Sequence, residues 1–431
     1  MNRRVLLVGL VLLVFFVISF LTNILGALNP AIKETFHLEF SSLGFMTLAF
    51  FSAYGIMSIP SGMLVEKYRE KKIMLVAFGL ATLGAFTFAL FPVFIVFLFS
   101  LFLIGSGMAM LQVAINPLLR QAGGEEHFAF NSVLGQLFFG AAGVAGPYLF
   151  SYLVENVGRA SNSGVIDLLN MLVPHQMNWV SIYWVFGAIA LTMVVIIALL
   201  KFPKVELNED EKTGEWSVYK ELFANKTVVL FFIGIFCYVG FEQGVSFWIS
   251  QFLDTYHGID PDTKGAATVG NFWGSLTVGC FLGLVLLKFI DSKRVLLVFS
   301  TLAFVSLTMA LFGPAHIALV AFPAVGFFAS VMWSIIFSLA LNSLKDHHGS
   351  VAGILCTGIV GGAVAPFIVG GLGDVFGLKG GMLFNYFTLA YIFSIAIWAN
   401  PLIKNKTIGG GKTTSNEEVQ QEETIEYETI N

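Results

Sequence analysis

A helix needs about twenty apolar residues to cross the hydrocarbon core of a bilayer, and this sequence supplies such a stretch twelve times. The stretches run Val5–Gly26, Phe40–Val65, Ile73–Phe91, Val93–Leu119, Phe128–Val154 and Trp179–Lys201, then Thr227–Leu253, Ala266–Phe289, Val295–Gly313, Ala315–Leu344, Ser350–Gly373 and Gly381–Ile403. Only 12% of the 431 residues are charged while 57% are apolar, and the mean hydropathy is +0.83. A soluble domain carries roughly twice that charged fraction. A soluble enzyme, a nucleic-acid binder and a secreted disulfide scaffold are therefore excluded, and a net charge of −4 is too small to point to a polyanionic partner. The first apolar run is long for a signal peptide and no small-residue cleavage site closes it, so it is expected to remain as a span.

Lysine and arginine fix the expected direction of threading. With the N-terminus in the cytoplasm, nineteen of the 23 basic residues fall on the cytoplasmic side, leaving only Lys33, Arg159, Lys264 and Lys379 opposite. Both termini are then cytoplasmic, as an even number of spans requires. The polar connection from Lys201 to Lys226 divides six spans from six. The expected organisation is an all-α integral membrane protein of twelve transmembrane helices in two pseudo-symmetric bundles. Residues 1–202 and 227–404 form the halves, 203–226 a cytoplasmic linker without a core of its own, and 405–431 a disordered tail. Within the long outer loop, 164–173 suits a short interfacial helix.

Six plus six helices is the plan of transporters that bind their substrate at the midplane between two halves. Only one carboxylate lies near the middle of a span, Glu242. Charge there costs at least a few kcal/mol, so such a residue faces a cavity or a partner. A group that takes up and releases a proton is the functional reading; a neutral Glu bonded to a neighbouring helix is the bland one. Tyr238, Glu242 and Ser246 recur every four residues and share a face, with Gln243 beside them.

Amides are also expensive in lipid. Gln112 and Asn116 share a face of the fourth span, and Asn23, Asn29, Asn131, Gln136 and Asn271 add to the set. Singly each reads as glue between helices; together they favour a polar cavity for a neutral polyhydroxylated ligand. Trp273 and Trp333 are candidates to pack against the C–H face of a sugar. Glycine clusters at 140–147 and 358–366, each closed by a proline, occupy matching spans of the two halves and suit either tight static packing or a rocking interface. The three cysteines sit in apolar runs and read as packing residues, and no metal or haem site is expected.

Several fragments are similar to a known family. Gly62-Met-Leu-Val-Glu-Lys-Tyr-Arg-Glu-Lys-Lys72 resembles the loop between helices 2 and 3 of the major facilitator superfamily, with Glu66 and Lys67 in its acidic and basic places and Arg69 where glycine is usual. Ala114-Ile-Asn-Pro117, His127-Phe with Asn131, Cys237-Tyr-Val-Gly240, Phe337-Ser-Leu-Ala and Gly361-Gly-Ala-Val-Ala-Pro-Phe-Ile-Val-Gly370 resemble its fucose–galactose–glucose proton symporter family. The resemblance implies sugar transport, with Gly62, Glu66, Lys67 and Arg69 acting in conformational change. Both membrane carboxylates of that pattern are absent: Gly26 stands for an Asp and Gln112 for a Glu.

The expected function is secondary active transport of a neutral monosaccharide across the cytoplasmic membrane by alternating access. The substrate-binding candidates are Gln112, Asn116, Asn131, Gln136, Glu242, Gln243, Asn271, Trp273 and Trp333, with Glu242 also coupling a proton. Sodium coupling, facilitated diffusion, and efflux of a drug or metabolite remain as alternatives. The expected partners are a sugar, H+ or Na+ and the lipid bilayer, for a monomer that is not an enzyme and needs no cofactor.

Overall fold

A computed structural model describes residues 3–123, 128–159, 163–174, 176–200, 202, 216–344 and 348–402, and among these the regular structure is entirely helical. The first half holds α1 (Arg3–Thr22), α2 (Leu25–Phe36), α3 (Phe40–Tyr68), α4 (Glu70–Leu90), α5 (Phe94–Gly123), α6 (Phe128–Asn156), α7 (Gly164–Leu172) and α8 (Ser181–Leu199). The second holds α9 (Trp216–Ala224), α10 (Lys226–Ser246), α11 (Ile249–His257), α12 (Ala266–Phe289), α13 (Ser292–Phe312), α14 (Ala315–Ala329), α15 (Met332–Leu341), α16 (His348–Thr357), α17 (Gly361–Met382) and α18 (Phe384–Trp398).

Among the described residues, eleven stretches are long and apolar enough to cross a membrane, and the apolar helix Phe384–Trp398 is shorter. The short one is extended from its N-terminal side. Gly377 adopts φ 75 and ψ 154, which breaks α17 into two helices. The piece after the break continues through helical Leu383 into α18, and together they make the twelfth crossing. The first and seventh spans are each interrupted, at Asn23–Ile24 and Phe247–Trp248. Because the span count is even, residues 3 and 402 stand at one end of the bundle, the terminal end; the α2–α3 and α11–α12 connections mark the distal end.

Helices in lipid gain nothing from hiding apolar surface from each other, so close van der Waals contact between small residues drives their association. The two halves repeat the same contacts. Gly105 of α5 lies on the Phe50 carbonyl of α3, and Gly326 of α14 lies on the Phe272 carbonyl of α12. Lys71 donates to the carbonyls of Ala198 (2.9 Å) and Leu200 (2.7 Å), where α8 ends. Lys293 donates to those of Ile397 (3.4 Å) and Ala399 (2.5 Å), where α18 ends. A cation on the last carbonyls of a helix satisfies orphan acceptors and opposes the negative end of the dipole.

The halves meet along α3–α17 and α6–α12, with α2 against α11 at the distal end. Gly44 sits on the backbone of Phe367, Gly370 on the Phe40 carbonyl, and Gly140 on the Thr277 side chain. Of the fifth-span glycine cluster, Gly140 and Gly143 thus lie between halves, while Gly146 faces Phe20 and Ile24 of its own half. The eleventh-span cluster divides: Gly361 packs on the Phe236 carbonyl within its own half, while Gly362 faces Phe51 across the interface.

Residues 203–215 and the 405–431 tail lie outside the described residues, but 216–224 form α9, with Tyr219 and Leu222 buried and the Tyr219 hydroxyl near Gly353 of α16. The segment therefore has apolar anchors, supplied by its own amphipathic spacing. A short helix, α7, does form in the expected place, with Ile166 and Leu169 turned inward and Val165, Leu168 and Met171 exposed.

Candidate functional site

The seventh span breaks one turn after its carboxylate. Phe247 N–H still bonds the Gln243 carbonyl, but Trp248 N–H turns to Val245 at 3.1 Å, so Gly244 loses its helical donor. Asn385 of α18 replaces it, donating to the Gly244 carbonyl at 3.2 Å. Asn29 of α2, from the other half, donates to the Phe247 carbonyl at 3.0 Å. Both amides are fully buried. An unpaired backbone carbonyl is costly there, and the two Asn side chains are what let this helix stop and restart inside a membrane span.

Glu242 is half-buried on α10. The Tyr238 hydroxyl donates to its Oε1 at 2.7 Å, and Gln243 hydrogen-bonds the same carboxyl group. The Tyr238 ring lies 6.1 Å from that of Trp333, which stacks on Phe337 at 5.9 Å. Cys280 of α12 lies in the neighbourhood of Glu242, and its thiol donates to the Ser330 carbonyl at 3.2 Å. The result is an acid held by a phenol, with an indole and a thiol near it. This set can exchange a proton, donate and accept hydrogen bonds, and offer a ring to the apolar face of a ligand.

The remaining sequence candidates separate. Gln243 is buried against Gly362 and Val239. Trp273 is buried too, its Cβ against Gly143 of α6 and its indole N–H without a hydrogen-bond partner among the described residues. Asn23 is buried near Gly143 as well and donates to the Ser19 hydroxyl at 2.9 Å. Asn271 is exposed and accepts from the Tyr148 hydroxyl of α6 at 3.3 Å, a bond between halves. Gln112 is half-buried and engaged. The side chains of Asn116 and Asn131 lie outside the described residues.

Gln136 carries more information. It shares a face of α6 with Gly140 and Gly143, both pressed on α12, yet it is exposed. One turn nearer the terminal end than Gly140, Gln136 thus marks a point on this face that α12 does not cover. The amide set thus divides, since Asn29 and Asn271 tie the halves together while Gln136 is exposed.

Sequence reasoning missed Asn385, Cys280 and the bridging role of Asn29. Cys280 has no local signal, because an isolated Cys in an apolar run is ordinarily a packing residue. Asn385 was discoverable as one more amide inside a span.

This geometry can be set beside known proteins. The family model of the Major Facilitator Superfamily matches residues 11–366. The chain belongs to the major facilitator superfamily. A glucose/galactose transporter of Brucella abortus (strain 9-941) is 33% identical over 390 residues, 88% of this chain and 90% of its own length. The L-fucose-proton symporter of Escherichia coli (strain K12) is 27% identical over 387 residues, 84% of this chain and 86% of its own. The crystal structure of the E. coli fucose:proton symporter superposes with a TM-score of 0.66 at 24% identity, covering 93% of this chain and all of that one. That likeness establishes the shared fold.

The superfamily loop between the second and third spans explains itself in backbone terms. Arg69 has φ 70 and ψ 158, a region nearly reserved for glycine, where the superfamily usually has one. The chain turns sharply from α3 into α4 there, and an arginine bears the strain. Lys67 is exposed with its ammonium 5.3 Å from the Tyr68 ring, Gly62 is half-buried, and the Glu66 side chain lies outside the described residues. At the position where the family pattern has an Asp, Gly26 lies directly on the Ser246 carbonyl. No side chain fits there in this conformation.

Proposed function

We propose that this protein is a secondary active transporter that carries a neutral hexose across the cytoplasmic membrane by alternating access, in symport with protons. The observation that carries the reading is the Tyr238–Glu242 pair, the carboxyl group midway along the interrupted seventh span, beside the Trp333 ring. An intramembrane acid held this way is positioned to bind a proton in one state of the cycle and release it in another. Trp333, Gln243 and Gln112, with Asn116 and Asn131, supply the hydrogen bonds and the ring face that a pyranose needs. Relatives named for glucose, galactose and fucose transport support that substrate class. Both termini, and the 203–226 linker between halves 1–202 and 227–404, are assigned to the cytoplasm by the basic-residue bias. Gly62, Glu66, Lys67 and Arg69 would then act at the cytoplasmic hinge.

Reconstitution in liposomes tests the reading. Under an inward proton gradient, D-glucose or D-galactose should accumulate uphill in the native protein. Glu242→Gln should abolish accumulation and leave counterflow exchange intact. Proton-driven accumulation retained by Glu242→Gln would remove Glu242 from coupling. Uptake that follows sodium, or that never exceeds equilibrium, would replace symport with protons by one of the other transport modes.

A further inference from the structure

The N-terminus of α3 is capped from the wrong half of the molecule. Its own N-cap residue, Glu39, makes no side-chain bond to the helix. The exposed N–H groups of Phe40 and Ser41 are orphans of the first turn, and both donate to one carboxylate, Asp374: Phe40 to Oδ1 at 2.8 Å and Ser41 to Oδ2 at 2.9 Å. Asp374 belongs to α17, on the far side of the interface and 334 positions along the chain from Phe40. A bidentate carboxylate at the positive end of a helix is the strong form of this contact.

Two further observations say that the contact is built between rigid bodies. Across the interface, the Phe40 ring packs edge-on against Trp248 at 5.8 Å and Gly370 sits on the Phe40 carbonyl, while α3 itself is one continuous helix held in the first half by Gly105 of α5 on its Phe50 carbonyl. On the second-half side, the turn after Asp374 is tied down within its own half. Tyr256 accepts the Lys379 N–H at 3.0 Å, and the Lys379 ammonium rests over the rings of Tyr256 (5.0 Å) and Phe312 (5.7 Å). Asp374 therefore moves with the second half and the first turn of α3 with the first half. Gln136, exposed on the face of α6 that meets α12, lies toward the opposite, terminal end.

We infer that Asp374 is a distal latch: its carboxylate on the N-terminus of α3 holds the distal end closed while the cleft opens at the terminal end, and it must release for the distal end to open. The latch rests on the alternating-access reading. It predicts a change of opposite sign at the two ends of the molecule, which a merely structural cap does not.

Hydrogen exchange on the full chain in nanodiscs, without substrate, reads both ends at once. In Asp374→Ala, amides of the distal segments 37–45 and 249–262 should exchange about tenfold faster, the factor expected for a lost helix cap of ordinary strength. The terminal-end segments 58–72 and 284–296 should exchange more slowly. Asp374→Glu, which keeps the charge, should restore part of both effects. Unchanged exchange, or acceleration at both ends together, overturns the latch. Gly26→Leu provides the independent arm, because a side chain there collides with Ser246 and wedges the distal end open. If Gly26→Leu gives the reciprocal pattern and Asp374→Ala does not, the latch is wrong and rocking stands. If neither gives it, both fall.

Discussion

The two halves of this carrier share a scaffold and differ in chemistry. A glycine of the fourth span lies on a carbonyl of the second, Gly105 on Phe50, and the tenth span does the same to the eighth, Gly326 on Phe272. A lysine at the start of the third span binds the last carbonyls of the sixth, and Lys293 repeats this for the ninth and twelfth. The first and seventh spans both break. Yet five residues before the first span's break stands Ile18, wholly buried, and five before the seventh's stands Glu242. The repeat conserves the contacts that make a six-helix bundle, and the ionisable group belongs to one half alone. Packing can be duplicated without penalty, whereas a second acid in the membrane would cost several kcal/mol unless it had its own partners.

The scaffold half of the comparison is the easiest to break. Gly105→Val and Gly326→Val each force a side chain into a backbone carbonyl, and each should destabilise by about 3 kcal/mol or more, at the upper end of overpacking costs. Thermal unfolding of the purified protein should show similar losses for the two; a loss confined to one would mean that the repeated contact is not equivalent.

The two special backbones come next. Arg69 and Gly377 share nearly the same φ and ψ, one with a side chain and one without. Arg69→Gly should stabilise by about 1 kcal/mol through relief of strain, and Gly377→Ala should destabilise by about 1–2 kcal/mol. Changes of the same sign in melting temperature would show that strain is not what separates them. The smallest effects belong to the lysine staples. Lys71→Met and Lys293→Met should each cost about 1 kcal/mol, and the double variant the sum, because the sites share no partner. Non-additivity would reveal that the halves communicate at their terminal ends.

Much of the architecture was legible because hydropathy is a local property. A span announces itself by twenty apolar residues whatever surrounds it, and eleven stretches plus the extended α18 match the expected twelve. Glu242 was legible for the same reason, since a carboxylate amid apolar residues needs an explanation. The amides were legible as unusual and ambiguous in role, because glue and ligand contacts use identical side chains. Asn29 proved to bridge the halves and Gln136 to be exposed, a distinction made only by what stands opposite each. Gly26 read as a missing acid, and only the nearness of Ser246 revealed that the space had been given to backbone.

Sequence alone determined that this chain lives in a membrane, how many times it crosses, and that one carboxylate, Glu242, stands near the middle of a span. Each of those follows from the cost of placing charge and backbone in hydrocarbon, which a single chain settles residue by residue. Tertiary structure decided which partners meet. Phe40 finds Asp374 across 334 positions, Asn29 finds Phe247 across 218, and two lysines find the ends of distant helices. Such contacts depend on the relative placement of rigid helices, and no local pattern encodes them.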